Sequence, residues 1–250
     1  VKFARYSQNG QVAYGIVDGD QVIEIEGSIF GEFKPTNKKY PLPTVHLLAP
    51  CQPSKMLCFG LNYALHAAEA KLEIPKTPIL FLKAPSSIIG PGETIVLPDH
   101  QNRIDYEAEL TIVMKDVTKG VSPDDALKHV LGYTCGNDVS HRPYQHGDGQ
   151  WCRAKSFDTF GPLGPWIVTD IDPSNLAIQT FVNGQMKQNS NTNDLIFNVP
   201  FLISWLSQCM TLLPGDVIMT GTPSGVGRLK TGDVVDVIIE GIGKLSNPVK

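Results

Sequence analysis

The stretch Arg103-Ile104-Asp105-Tyr106-Glu107-Ala108-Glu109-Leu110, continuing through Thr111-Ile112-Val113-Met114, constrains this chain more than any other. Its β-branched and aromatic residues favour an extended strand, and side chains two apart in a strand point to the same side of the sheet. Asp105, Glu107 and Glu109 therefore share a face. Carboxylates held that close cannot all ionise unless a cation sits among them, because each raises the pKa of the others. A hard divalent metal is the simplest remedy. The ordinary alternative is a row of acids facing solvent on a half-exposed strand.

A second acidic position weighs against that alternative. Asp138, in Asn137-Asp138-Val139-Ser140, follows the apolar run Val130-Leu131-Gly132-Tyr133, so it lies where a buried strand gives way to a loop. Strand ends facing a cleft are where sites are assembled. The candidate ligands are all carboxylates, and such an oxygen set suits Mg²⁺, Mn²⁺ or Ca²⁺ better than Zn²⁺ or copper.

A chain of 250 residues can bury a sizeable core and hold one large domain, alone or with a small appendage. The net charge of −4, with no Lys/Arg stripe, argues against a nucleic-acid partner. No apolar run is long enough to span a bilayer, and Val1-Lys2-Phe3-Ala4-Arg5 lacks the apolar stretch of a signal peptide, so neither membrane association nor secretion is expected. The five cysteines form no C-x-x-C pair and fit reduced, mostly buried thiols. That pattern implies a reducing, cytoplasmic setting.

Residues Val1 to Tyr6, Val12 to Val17 and Gln21 to Ile25 alternate apolar and polar positions around Asn9-Gly10 and Asp18-Gly19, dipeptides that favour tight hairpins. This predicts a small N-terminal β domain over 1–48, with a larger domain over 49–250. Residues Gly27 to Leu42, with Pro35 and Pro41, show no period and read as a connection. Beyond it, expected strands are Met56 to Phe59, Ile79 to Lys83, Asp105 to Lys115, Gly132 to Asp138, Pro165 to Thr169, Ala177 to Val182, Val217 to Thr220 and Val234 to Glu240, with a further hairpin at Asn183-Gly184. Helical periodicity is confined to Ala64 to Leu72, Pro123 to Val130 (Ser122 as N-cap) and Val199 to Met210. The balance predicts a strand-dominated α+β fold.

Three constellations could carry chemistry. His66 and Glu69 lie i and i+3 on the first helix, where a carboxylate can orient an imidazole as general base; a surface His beside an ordinary Glu is the alternative. Arg142 and Lys155 would bring positive charge near the acidic cluster, where an anionic substrate needs it, unless they are solvated loop charges. His141, His146 and Cys152 match no common zinc spacing. Gly221-Thr222-Pro223-Ser224-Gly225-Val226-Gly227 lacks the lysine of a phosphate loop, yet successive N–H groups in such a turn can cup a carboxylate.

In this order the pieces resemble the fumarylacetoacetate hydrolase family, over residues from about 55 to 248. The likeness rests on Gly60-Leu61-Asn62-Tyr63 followed by His66 and Glu69, Asp105-Tyr106-Glu107-Ala108-Glu109-Leu110, Gly136-Asn137-Asp138-Val139-Ser140, Lys155-Ser156-Phe157-Asp158, Ser190-Asn191-Thr192, and the glycine-rich loop from Gly221 to Gly227. The resemblance implies a mixed β-roll catalytic domain, a homodimer, and Mg²⁺ or Mn²⁺ held by Glu107, Glu109 and Asp138, with Asp105 outside the ligand set. It implies 2-oxo or β-diketo acid substrates, Lys155 stabilising an enolate, and Arg142, Gln145, Thr192 and Thr222 lining the pocket. One departure is Pro143, which stands where the family often has an acid and which fixes φ and removes a donor there.

The leading expectation is hydrolytic cleavage of a carbon–carbon bond in an acylpyruvate-like diketo acid, with His66, oriented by Glu69, activating water. The alternative keeps the same site without water, as an oxaloacetate decarboxylase or an enol–keto tautomerase of 2-oxo acids. A third reading, from another class, is a non-enzymatic binding module stabilised by Ca²⁺.

Overall fold

Asn9-Gly10 and Asn183-Gly184 both adopt positive φ at two successive residues, the backbone that two-residue hairpins require. Antiparallel ladders run outward from each of them. The second N-terminal hairpin turns on Gly19-Asp20, one residue beyond the expected pair, because Asp18 is the last residue in register with Gln21. The computed structural model describes residues 1–250.

The main sheet runs in the order Phe33–Pro41, Gln21–Gly27, Gln11–Asp18, Lys2–Gln8, Gly161–Val168, Val130–Asn137, Ala108–Met114, Val217–Met219, Met56–Gly60, Ile79–Lys83. It is antiparallel along this path except where Val217–Met219 lies parallel to Met56–Gly60. The N-terminal meander is thus not set apart from the rest: Lys2–Gln8 bonds directly to Gly161–Val168 and extends the same sheet. A separate antiparallel sheet runs Gln185–Asn191, Ala177–Val182, Val234–Ile239, Gly243–Pro248. The result is a strand-dominated α+β fold with a mixed sheet.

Two readings from the sequence need correction. Residues Gly27 to Leu42 are not all connection, because Phe33–Pro41 forms an edge strand against Gln21–Gly27. Most of its side chains are exposed, so it carries no hydrophobic period, and its prolines are tolerated because it is an edge. The strand expected over Asp105 to Lys115 is interrupted at Glu107. Ile104–Tyr106 leaves the main sheet to pair with Ser140–His141 and Gly227–Arg228, while Ala108–Met114 stays in it.

Ala108–Met114 is buried throughout, and its period of two sorts it between two cores. Ala108, Leu110, Ile112 and Met114 pack with Ile178, Val237 and Ile239 of the second sheet and with Leu202, Ile203 and Leu206 of the helix Val199–Cys209. Val113, on the other face, packs with Phe3, Met56, Cys58 and Leu163. Each fully buried Leu or Ile of this kind contributes about 1.5–3 kcal/mol. Acids on a strand covered on both faces meet solvent only where a cleft opens onto them.

The helices are shorter than their periodicity. Ala64–Glu69 stops before Leu72, and Pro123–Ala126 passes into a 3₁₀ turn, Leu127–His129. Ser122 caps the second as expected, its side chain accepting the Asp125 N–H, and Asn198 does the same for Phe201 on the long helix. No helix is long and apolar enough to cross a membrane.

Candidate active site

Glu107, Glu109 and Asp138 present carboxylate oxygens that all lie within 4.8 Å of one another, and all three are buried. Strand geometry brings them together. Glu107 and Glu109 alternate on one face, and Asp138 follows the neighbouring strand, where its N–H donates to the Glu107 carbonyl at 2.9 Å and carries the ladder one step past the strand's end. Opposite Glu109 stands Gly136; a Cβ there would come within 2.3 Å of Thr111 Oγ1, so no other residue fits this close approach.

From Asp138 outward the side chains form a ladder of alternating charge. Lys83 Nζ donates to Asp138 Oδ1 at 2.6 Å, and Lys155 Nζ bridges Asp138 Oδ2 at 2.5 Å and Glu107 Oε2 at 2.6 Å. Arg142 then joins Glu107 Oε1 at 2.6 Å to Asp105 Oδ2 at 2.8 Å, and Arg103 Nε reaches Asp105 Oδ1 at 2.9 Å. Burial alone would raise the Glu107 carboxyl, but the charges of Lys155 and Arg142 override it and hold Glu107 well below the usual carboxylate range. Burial would likewise lower the Lys155 ammonium, yet Asp138 and Glu107 keep it above its ordinary value.

Glu109 is the member without a cation. Its one hydrogen bond comes from the Gly221 N–H at 2.8 Å, where Gly221 holds φ of +100°. Burial, with the Asp138 and Glu107 charges beside it, pushes its carboxyl well above the usual range. A buried, oxygen-only cluster with one uncompensated carboxyl has the donor chemistry of a hard divalent cation site. The residues present therefore fit such an ion.

The cluster opens into a cleft of about 860 Å³ whose lining includes His66, Glu69, Arg142, Gln145, Lys155 and Thr222. His66 Nδ1 lies 3.2 Å from Glu69 Oε2, and both Glu69 oxygens accept the Gly225 N–H, at 3.1 and 3.2 Å, tying the helix Ala64–Glu69 to the glycine-rich loop. Arg142 also donates to Gln145 Oε1 at 2.6 Å on the next turn. Pro143 occupies the first turn of the helix Arg142–Gly147, where a missing N–H costs nothing. Thr192 is the expected pocket residue that the fold does not bring there: it lies outside the lining, and its Oγ1 accepts the Leu176 N–H at 2.8 Å.

Lys83 and Arg103 were not singled out from the sequence. The signal for Lys83 was present in Ile79-Leu80-Phe81-Leu82-Lys83, where period two puts Phe81 and Lys83 on the same buried side. Arg103 carried none, because a charged residue before a strand is usually solvated.

Together, the strand-built scaffold and a buried acidic triad beneath a cleft lined by charges of both signs describe the site of an enzyme. Residues 55–250 match the family model described as Fumarylacetoacetate (FAA) hydrolase C-terminal, and residues 1–50 match the one described as Rv2993c-like, N-terminal. The chain belongs to the fumarylacetoacetate hydrolase family. It is 45% identical to Protein Rv2993c of Mycobacterium tuberculosis, over 100% of this chain and 98% of that protein. It is 47% identical to the mitochondrial oxaloacetate tautomerase fahd2 of Xenopus laevis, over 82% of this chain and 68% of that protein. Among solved structures, 2-hydroxyhepta-2,4-diene-1,7-dioate isomerase from Mycobacterium marinum superposes with a TM-score of 0.93 at 44% identity, over 99% of this chain and 97% of that one.

Proposed function

We propose that this protein is a divalent-metal-dependent tautomerase or isomerase of 2-oxo dicarboxylic acids, interconverting enol and keto forms of an oxaloacetate-like substrate. Two relatives bearing tautomerase and isomerase names favour this reaction over hydrolysis, the first expectation. The observation that carries the substrate class is the charge of the ladder. Lys83, Lys155 and Arg142 are enclosed with Asp138, Glu107, Asp105 and an ionised Glu109, so a divalent ion leaves an excess of one positive charge among them, and the half-exposed Arg103 on Asp105 adds a second at the edge of the cleft. An anionic substrate offsets that excess where unpaired buried charge is costly, and a second carboxylate suits the outer arginine.

In this reading Glu107, Glu109 and Asp138 would hold Mg²⁺ or Mn²⁺, which when bound would supply Lewis acidity for a 2-oxo acid. Lys155 donates a hydrogen bond to the 2-oxo oxygen as enolate charge develops on it. His66, its Nδ1 held by Glu69, delivers or removes the proton at the adjacent carbon through Nε2. One proton moves from the enol hydroxyl to carbon and none is consumed, so no water is needed. Arg142, Gln145 and Thr222 orient the substrate carboxylate. Thr192, bonded to Leu176, supports the fold nearby instead.

The test follows decay of freshly dissolved enol oxaloacetate by its ultraviolet absorbance, with protein and Mn²⁺ and again with EDTA. Metal-dependent acceleration without pyruvate release supports the proposal; no acceleration overturns it. A second reading, hydrolysis of an acylpyruvate, draws on the His66–Glu69 pair, which could activate water in the same cleft. Metal-dependent release of pyruvate from acetylpyruvate would favour it. Homodimerisation, implied by the family resemblance, is read by light scattering on the eluting protein.

A further inference from the structure

Val217–Met219 pairs with Ala108–Met114 only as far as Thr111 opposite Met219. One more ladder bond follows, from the Thr220 N–H to the Leu110 carbonyl at 3.1 Å, and the chain then veers away, the Gly221 N–H turning to the Glu109 side chain at 2.8 Å. The next N–H on this edge of the acidic strand, that of Ala108, has no strand left to meet. It lies between Glu107 and Glu109, so an unmet bond there would loosen both carboxylates. A buried N–H must find some acceptor.

The acceptor is the side chain of Gln188, on Gln185–Asn191 of the other sheet. Gln188 Oε1 accepts from Ala108 N at 3.1 Å and from Thr180 Oγ1 at 2.6 Å. Its Nε2 donates to Thr222 Oγ1 and to the Pro223 carbonyl, each at 2.8 Å. Two acceptor and two donor positions exhaust what an amide offers, and the side chain is wholly buried. Orientation is fixed, since the Ala108 N–H can only donate and the Pro223 carbonyl can only accept. The amide thus stands where the missing strand's peptide group would be.

We propose that Gln188 is a positioning residue: it fixes the Glu107-Ala108-Glu109 segment against the Thr222-Pro223 wall of the cleft, and so sets both divalent-ion affinity and substrate placement. This rests on the proposed reading of Glu107 and Glu109 as ion ligands. A Gln that only filled the core would show the same burial, but its four bonds would not converge on a carboxylate pair and a pocket residue.

The experiment titrates Mn²⁺ into the full chain by calorimetry, comparing wild type with Gln188→Met, Gln188→Glu and Thr180→Val. Gln188→Met should weaken Mn²⁺ by about ten- to a hundredfold, the usual effect of removing a group that orients a ligand. Thr180→Val removes a bond to the same amide on the side away from the cleft, and should lower the melting temperature while leaving Mn²⁺ affinity unchanged. Gln188→Glu keeps an oxygen for the Ala108 N–H but loses the donors to Thr222 Oγ1 and to the Pro223 carbonyl, so it should bind Mn²⁺ more tightly than Gln188→Met and show a raised KM, with little change in kcat, that Thr180→Val does not share. If Gln188→Met does not fold, the contrast between Gln188→Glu and Thr180→Val carries the test. Wild-type affinity in Gln188→Met, or equal losses in Gln188→Met and Thr180→Val, overturns the inference while leaving the reading of the site intact. Failure of the wild type to bind Mn²⁺ overturns that reading, and this role with it.

Discussion

Lys83 Nζ donates to Asp138 Oδ1 at 2.6 Å, with side-chain exposures of 0% and 1%. An ammonium so enclosed is stable only because its counter-ion is enclosed with it. The Val139 carbonyl, at 3.4 Å, is its other acceptor. Lys83→Met leaves Asp138 with Lys155 as its remaining cation, so it should destabilise the protein by about 1.5–3 kcal/mol, the cost of losing a hydrogen bond to a buried charged group. The urea midpoint checks this, and a shift equivalent to less than about 1 kcal/mol would place the pair among surface bridges.

Glu109 has the opposite circumstance: burial and the Asp138 and Glu107 charges raise its carboxyl, the Lys155 charge only partly offsets them, and no cation bonds to it. Its folded-state pKa is raised, so the stability linked to it is present below the ordinary carboxylate range and is lost as pH rises through the raised value. Glu109→Gln keeps the shape and removes the charge. In EDTA at neutral pH its melting temperature should exceed that of the wild type. Adding Mn²⁺ should reverse the order, because the wild type gains about 2.7 kcal/mol at a hundred times its dissociation constant and the variant does not. Equal response of both proteins to Mn²⁺ would remove Glu109 from the ligand set.

What the sequence disclosed, and what it hid, divides along one physical line. Hairpins at Asn-Gly and strands with alternating polarity were legible because turn chemistry and period two are local. The proximity of Glu107 and Glu109 was local too. The edge strand Phe33–Pro41 was not, since an edge is held by backbone bonds that leave no mark on its side chains. Nor was the break at Glu107, which depends on Ser140–His141 and Gly227–Arg228 pulling Ile104–Tyr106 into another sheet. Lys83 and Gln188 act on residues distant in the chain, so their roles appear only once the sheets are assembled.

His66 and Glu69 lie on a short helix pinned to the glycine-rich loop through the Gly225 N–H. Loss of the imidazole should lower the rate of enol–keto exchange by about 10²–10⁴-fold in His66→Ala, the range for a positioned acid–base group. Glu69→Gln should lose less, since it retains an oxygen toward His66. Mn²⁺ affinity, which draws on the carboxylates and not on the imidazole, should be unchanged in His66→Ala. Undiminished tautomerisation in that variant would take His66 out of the proposed proton transfer.

The thiols give a prediction independent of the site. Cys51, Cys58 and Cys135 are buried, whereas Cys152 and Cys209 are exposed. Burial pushes the Cys51 and Cys135 thiols up to about 12 and raises Cys58 well above its ordinary value. Burial also raises the Tyr14 and Tyr106 hydroxyls to about 12. A raised folded-state pKa means that the unfolded chain releases its protons first as pH climbs. Stability held below the ordinary thiol and phenol ranges, about 8.5 and 10, is therefore lost on the way to 12. The melting temperature should fall steadily between about pH 9 and 11 as these buried groups deprotonate in the unfolded chain. At about pH 8 a thiol reagent should titrate two cysteines in the native protein and five in denaturant, because the thiolate is the reactive form and access is required. A third thiol reacting in the native protein would show that the packing around Cys51, Cys58 or Cys135 opens to solvent.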